Sequence, residues 1–167
     1  MSGRADGWSD PEFAALGRIT ASFAELDRQA GRLLAGFIRP RDVAVIVTAG
    51  AELRWTLEKL AVIAAEALED PQARQALLDW VKASLALADR RNQLIHSHYL
   101  PQPGEQSLTR MKATTRGGRW KGQSEPVGLA DLSETADLLV EGLAAAGLLT
   151  GHLASCPEWE DPAAPPA

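Results

Sequence analysis

The stretch "DRRNQLIHSHYL", residues 89–100, gathers Arg90, Arg91, Asn92, His96 and His98 at the end of an Ala/Leu-rich segment. A neutral imidazole at His96 can take a proton from a ribose 2′-hydroxyl or return one to a leaving oxygen, because it titrates near neutrality. The guanidinium of Arg91 can hold a phosphate and stabilise charge that builds on it. Asn92, four residues before His96, is placed to orient the imidazole by a hydrogen bond. That set suffices for metal-independent RNA cleavage by the neighbouring 2′-hydroxyl, and it cannot cut DNA by that route. On a continuing helix Asp89, Asn92, His96 and Tyr99 share one stripe, and Arg91 and His98 share its neighbour. Arg91 and His96 differ by about 140° of helical rotation. They therefore do not stack within one helix, but both can line a groove at a helix end or between two copies of it.

A structural account competes with the chemical one. Cations near a helix C-terminus complement its dipole, and polar side chains there can bond the free carbonyls. His96 and His98 have no cysteine or acidic ligand set around them in sequence, so no metal site and no cofactor is expected. Cys156 has no nearby base and reads as inert.

Composition narrows the class of molecule. The 167 residues suit one domain, and 46% hydrophobic with 23% charged residues is ordinary for a globular chain. A single cysteine fits a reducing compartment, and the first ten residues lack an apolar core, so a cytoplasmic protein with no membrane association is expected. Net charge is −5, which argues against a general nucleic-acid coat. The charge is uneven, however. Arg90, Arg91, Arg110, Lys112, Arg116, Arg119 and Lys121 face only Glu105 over residues 90–121. A basic region on an acidic body suggests a localised anion site.

The elements that must position these residues follow from periodicity. Residues 1–9 read as a flexible N-terminus, and a single bundle domain spans 10–154. Ser9, Pro11 and Glu12 open a helix whose seam runs Leu16, Ile19, Phe23, Leu26, Ala30, Leu33 and Phe37, with Pro40 ending it. Residues 42–68 read as one long helix with a weak point at Gly50, although "DVAVIVTA" alone also fits a buried strand. A third helix, about 72–98, carries Leu77, Val81, Leu85, Ala88, Asn92 and Ile95. Residues 100–107 form a loop. A hairpin over about 107–127 turns at Gly117-Gly118, which sets Arg116 opposite Arg119, Thr114 opposite Lys121 and Lys112 opposite Gln123. Trp120, opposite Thr115, could stack on a base or pack on the bundle. The last helix, about 129–154, repeats the three-four spacing, and the acidic Pro/Ala tail 155–167 reads as disordered. The expected fold is mainly α: a four-helix bundle with a β-hairpin inserted before the last helix.

"RNQLIH", Arg91 to His96, resembles the R-N-x-x-x-H form of the motif carried by HEPN domains, late in a bundle helix as in that family. The resemblance implies an α-helical bundle that forms a homodimer and brings two motifs together. It implies either a metal-independent endoribonuclease of toxin or phage-defence type, leaving 2′,3′-cyclic phosphate, or a catalytically inactive dimerisation or partner-binding module. An antitoxin or other partner protein is compatible with both. Carried onto this chain, Arg91 and His96 are catalytic with Asn92 in support, and RNA is the ligand. Arg90, His98, Lys112, Arg116, Arg119, Trp120 and Lys121 would guide it. Where toxins of the family that pair with minimal nucleotidyltransferases carry tyrosine two residues after the histidine, this chain carries His98.

Overall fold

Ser9 starts the first helix through its backbone N–H and its hydroxyl, both of which donate to Glu12 Oε2 at 2.7 Å. Trp8 precedes that cap and meets Phe13 with ring centroids 5.9 Å apart, the pair that staples a helix entry. The computed structural model describes residues 8–101, 108–116 and 119–163, with backbone alone at 101, 108, 112–116 and 119–123. The helices are α1 (Asp10–Ala35), α2 (Arg41–Thr48), α3 (Leu53–Glu66), α4 (Pro71–Ile95) and α5 (Leu129–Leu153). The strands β1 (His98–Pro101), β2 (Leu108–Arg116) and β3 (Arg119–Val127) form an antiparallel sheet in that order. The protein is mainly helical with a small sheet between α4 and α5.

The seams account for the bundle. Ile19, Leu26, Ala30 and Leu33 of α1 are fully buried, as are Leu57, Leu60 and Ala64 of α3 and Leu139 and Leu153 of α5. α1 packs on α5 and α3, and α4 packs on α3 and α5, while α2 rests on α1. Each buried leucine contributes about 2 kcal/mol, which exceeds the net worth of a typical surface polar contact. The apolar core therefore fixes where α4 lies, and the polar residues at its end follow. α5 is long and apolar enough to cross a bilayer by length and composition; in this fold its Leu132, Ala136 and Leu139 are core residues.

Four expectations are corrected. Residues 42–68 form two helices, because Gly50 adopts φ +71° and turns the chain between them; the run 42–48 is helical. The α4 face is broader than the expected stripe: Trp80, Ser84, Leu87 and Leu94 are buried, whereas Asn92 is exposed. α4 also stops at Ile95, with His96 as its cap (φ −102°, ψ 15°). The Tyr99 hydroxyl donates to Leu94 O at 2.5 Å, and the Ser97 hydroxyl donates to Gln93 O, so side chains satisfy carbonyls the helix would otherwise leave open. Trp8 meets the Tyr99 ring edge-on at 4.7 Å and holds it there. Tyr99 and His98 thus lie on a strand, not on the helical stripe, and the sheet gains a third strand.

The fourth correction concerns the chain ends. Trp8 is packed rather than free, while residues 1–7 lie outside the described residues. The segment 155–163 is a docked strap and not a disordered tail. Trp159 is buried, its indole N–H donates to Leu33 O at 3.2 Å, and Glu160 N–H donates to Gly36 O at 3.0 Å. Arg32 grips Asp161 at 2.7 Å, and Arg39 and Arg41 reach Glu160 at 3.0 and 3.1 Å.

Candidate functional site

Early termination of α4 brings together what a continuous helix would keep apart. As His96 leaves helical geometry, its imidazole swings back toward the preceding turn. Arg91 Nη1 lies 3.5 Å from His96 Nε2 and donates to Asn92 Oδ1 at 3.0 Å. A guanidinium can only donate, so a hydrogen bond between the two uses Nε2 of His96 as the acceptor. The expectation that Asn92 orients the imidazole is corrected, since its carboxamide oxygen accepts from the arginine. The His96 main chain is fixed separately, its N–H donating to Asn92 O at 3.1 Å.

Arg91 also lies over the Phe23 ring of α1, with Cζ 4.6 Å from the centroid, inside the range of cation–π attraction. Its Nε is buried with no hydrogen-bond partner. Phe23 reads from sequence as one more seam residue, and its own spacing carries no signal for this second role.

The charge balance sets Arg91 apart. Arg18, Arg28, Arg32, Arg39, Arg41, Arg54, Arg90 and Arg110 each face a carboxylate. Arg74 donates to Leu68 O through Nε at 3.0 Å. Among the arginines whose side chains are described, Arg91 alone meets neither a carboxylate nor a backbone carbonyl, its one oxygen acceptor being the uncharged Asn92 carboxamide. It lies half-buried beside the His96 imidazole with no carboxylate against it among the described residues.

The other expected residues are spread around this centre. Arg90 points to the α5 side of α4 and pairs with Glu134 at 2.5 Å, so its charge is already matched. His98 is exposed on β1 opposite Met111. The β2–β3 register sets Arg116 opposite Arg119, Lys121 opposite Thr114, Lys112 opposite Gln123 and Trp120 opposite Thr115, as expected for a two-residue turn. The turn itself lies outside the described residues, as do these side chains. Because β1 starts two residues after His96, the sheet grows directly out of the site. Lys112 follows the His98 partner by one position, and Arg116 lies four further on, about 17 Å from Met111 at strand rise.

Elsewhere, a groove of about 770 Å³ runs between α4 and α5, lined mainly by alanines and leucines and reached by Arg90 but not Arg91. Leu148 stands 79% exposed at its edge. Cys156 is buried, and burial raises its thiol pKa. Among the described residues no three His, Cys, Asp or Glu side chains converge. No known protein family, curated protein or solved structure matches this chain.

Proposed function

We propose that this chain is a HEPN-like RNA-binding protein, a helical bundle in which Arg91 clamps a backbone phosphate and His96 acts on the adjacent ribose. The observation that carries the reading is Arg91 itself, without a carboxylate partner among the described residues, set over the Phe23 ring and 3.5 Å from His96 Nε2. A phosphate supplies the anion this guanidinium lacks, and RNA supplies a hydroxyl next to that phosphate.

The reaction would be metal-independent. His96 Nε2 accepts the 2′-hydroxyl proton, the oxygen attacks phosphorus, and the bond to the 5′-oxygen breaks to leave a 2′,3′-cyclic phosphate. A proton must then reach the leaving oxygen, and one imidazole per chain makes a homodimer with two facing motifs the economical arrangement. Lys112, Arg116, Arg119 and Lys121 would guide the strand along the sheet, with Trp120 as a stacking surface. A cytoplasmic toxin or phage-defence role, restrained by an antitoxin, is the setting this activity fits.

A second reading, a catalytically inactive dimerisation or partner-binding module, is favoured by the apolar α4–α5 groove with Leu148 exposed beside it. Labelled structured RNA incubated with protein in EDTA separates the two. Cyclic-phosphate ends that disappear with His96→Ala and Arg91→Ala support the nuclease. Binding lost in Arg91→Ala without any cleavage leaves an RNA-binding module. If neither variant changes binding or cleavage, the site assignment fails.

A further inference from the structure

We infer that Phe23 of α1 is the positioning residue for the Arg91 guanidinium, so that the anion site spans two helices instead of belonging to the α4 motif alone. The inference rests on the phosphate-clamp reading of Arg91. A long arginine side chain at a helix end samples many rotamers, and ordering it by a carboxylate would cancel the charge it is meant to present. An aromatic face avoids that conflict. Its quadrupole attracts the cation and fixes the plane, yet it brings no negative charge and no acceptor.

The geometry meets that requirement on each count. The ring lies 4.6 Å from Arg91 Cζ. Nε is buried without an acceptor, as expected when stacking rather than hydrogen bonding fixes this part of the side chain. Nη1 is directed toward Asn92 and His96, which sets rotation within the plane. Ring and carboxamide thus contact the guanidinium at two separate points. Phe23 sits in the α1 seam between Ile19 and Leu26, where leucine or methionine would serve packing equally well. The ring is needed for the cation.

The test uses the full chain and a fluorescein-labelled single-stranded RNA oligonucleotide, with affinity followed by anisotropy over a salt series. Phe23→Leu and Phe23→Met should weaken binding about 5- to 20-fold at an unchanged salt slope, because the charge remains. Phe23→Tyr should restore affinity to within about twofold. Arg91→Ala should weaken binding and lower the salt slope by about one. In the Arg91→Ala background Phe23→Leu should add nothing. Should either apolar variant fail to fold, the Arg91 Nε–Hε resonance of the wild-type protein decides, since stacking moves it upfield by ring current. An unshifted resonance overturns the inference. If Arg91→Ala weakens binding while Phe23→Leu and Phe23→Met match wild type, the positioning role falls and the clamp stands. If Arg91→Ala binds as well as wild type, or wild type binds no RNA, the clamp falls and the inference with it.

Discussion

Arg91 differs from its neighbour Arg90 by one position and by its whole environment. Arg90 turns toward Glu134, whereas Arg91 turns toward a ring, an amide and an imidazole. If the missing anion is what makes the site, supplying one internally should close it. Asn92→Asp keeps the shape of the side chain and places a carboxylate where Arg91 Nη1 already donates at 3.0 Å. RNA affinity should fall at least about tenfold, because the new pair competes with phosphate, while a partly exposed ion pair adds no more than about 1 kcal/mol to stability. Asn92→Ala, which removes the tether without supplying charge, should cost less affinity than Asn92→Asp. Anisotropy for binding and calorimetry for stability check both. Equal losses for the two substitutions would mean that Asn92 matters as a tether and not through the charge it leaves uncancelled.

The end of α4 is decided by a residue just past it, Tyr99, and by one far from it in sequence, Trp8. Nothing between Gln93 and Ser97 is a glycine or proline, so periodicity alone carries the helix on to residue 98. The stop comes from the Tyr99 hydroxyl on Leu94 O and from Trp8 against the Tyr99 ring. Tyr99→Phe should therefore cost about 1 kcal/mol of stability through the lost bond. It should also weaken RNA binding by loosening the cap that turns His96 back to Arg91; a stability loss with unchanged binding would separate the cap from the site. At Gly50 a side chain meets open space but a strained φ of +71°, so Gly50→Ala should cost about 1 kcal/mol by thermal melting. Much of the framework is legible in the sequence because its causes are local. The seams of α1, α3 and α5 show as three-four spacing, and the hairpin register follows from Gly117-Gly118. The residue types of the site are legible too. Their proximity is not, since it depends on α4 ending before its pattern does. Nor is Phe23 legible as a site residue, since a ring in an apolar seam looks like core whether or not a cation lies on it.

Across the whole molecule, most described arginines are spent on holding elements together: Arg18 on α5, Arg54 on Asp89 of α4, and Arg32, Arg39 and Arg41 on the strap. The strap is the least legible element of all, because its Pro/Ala-rich composition hides one buried tryptophan. Gly36 is what admits it, since a Cβ there would fall 1.9 Å from Trp159 Nε1. Gly36→Ala should expel the indole and destabilise the protein by about 2–4 kcal/mol, a lost large side chain outweighing the gain in helix propensity. The clasp also titrates. Hydrogen bonds from Arg32, and then from the Ala163 backbone, hold the Asp161 carboxyl below its ordinary value of 3.8. A depressed carboxyl contributes its full stabilisation above the unfolded value and loses it as pH falls through the folded one. The strap should stay docked at neutral pH and release only as pH falls below the ordinary carboxyl value of Asp161, seen as a red shift of tryptophan emission. Other tryptophans emit as well, so the strap signal is the part of the shift that Trp159→Phe removes. Arg32→Gln should move the transition to higher pH by restoring Asp161 toward its ordinary value. An Arg32→Gln transition coincident with wild type would show that Trp159 burial alone, and not the ion pair, holds the strap against the α1 end.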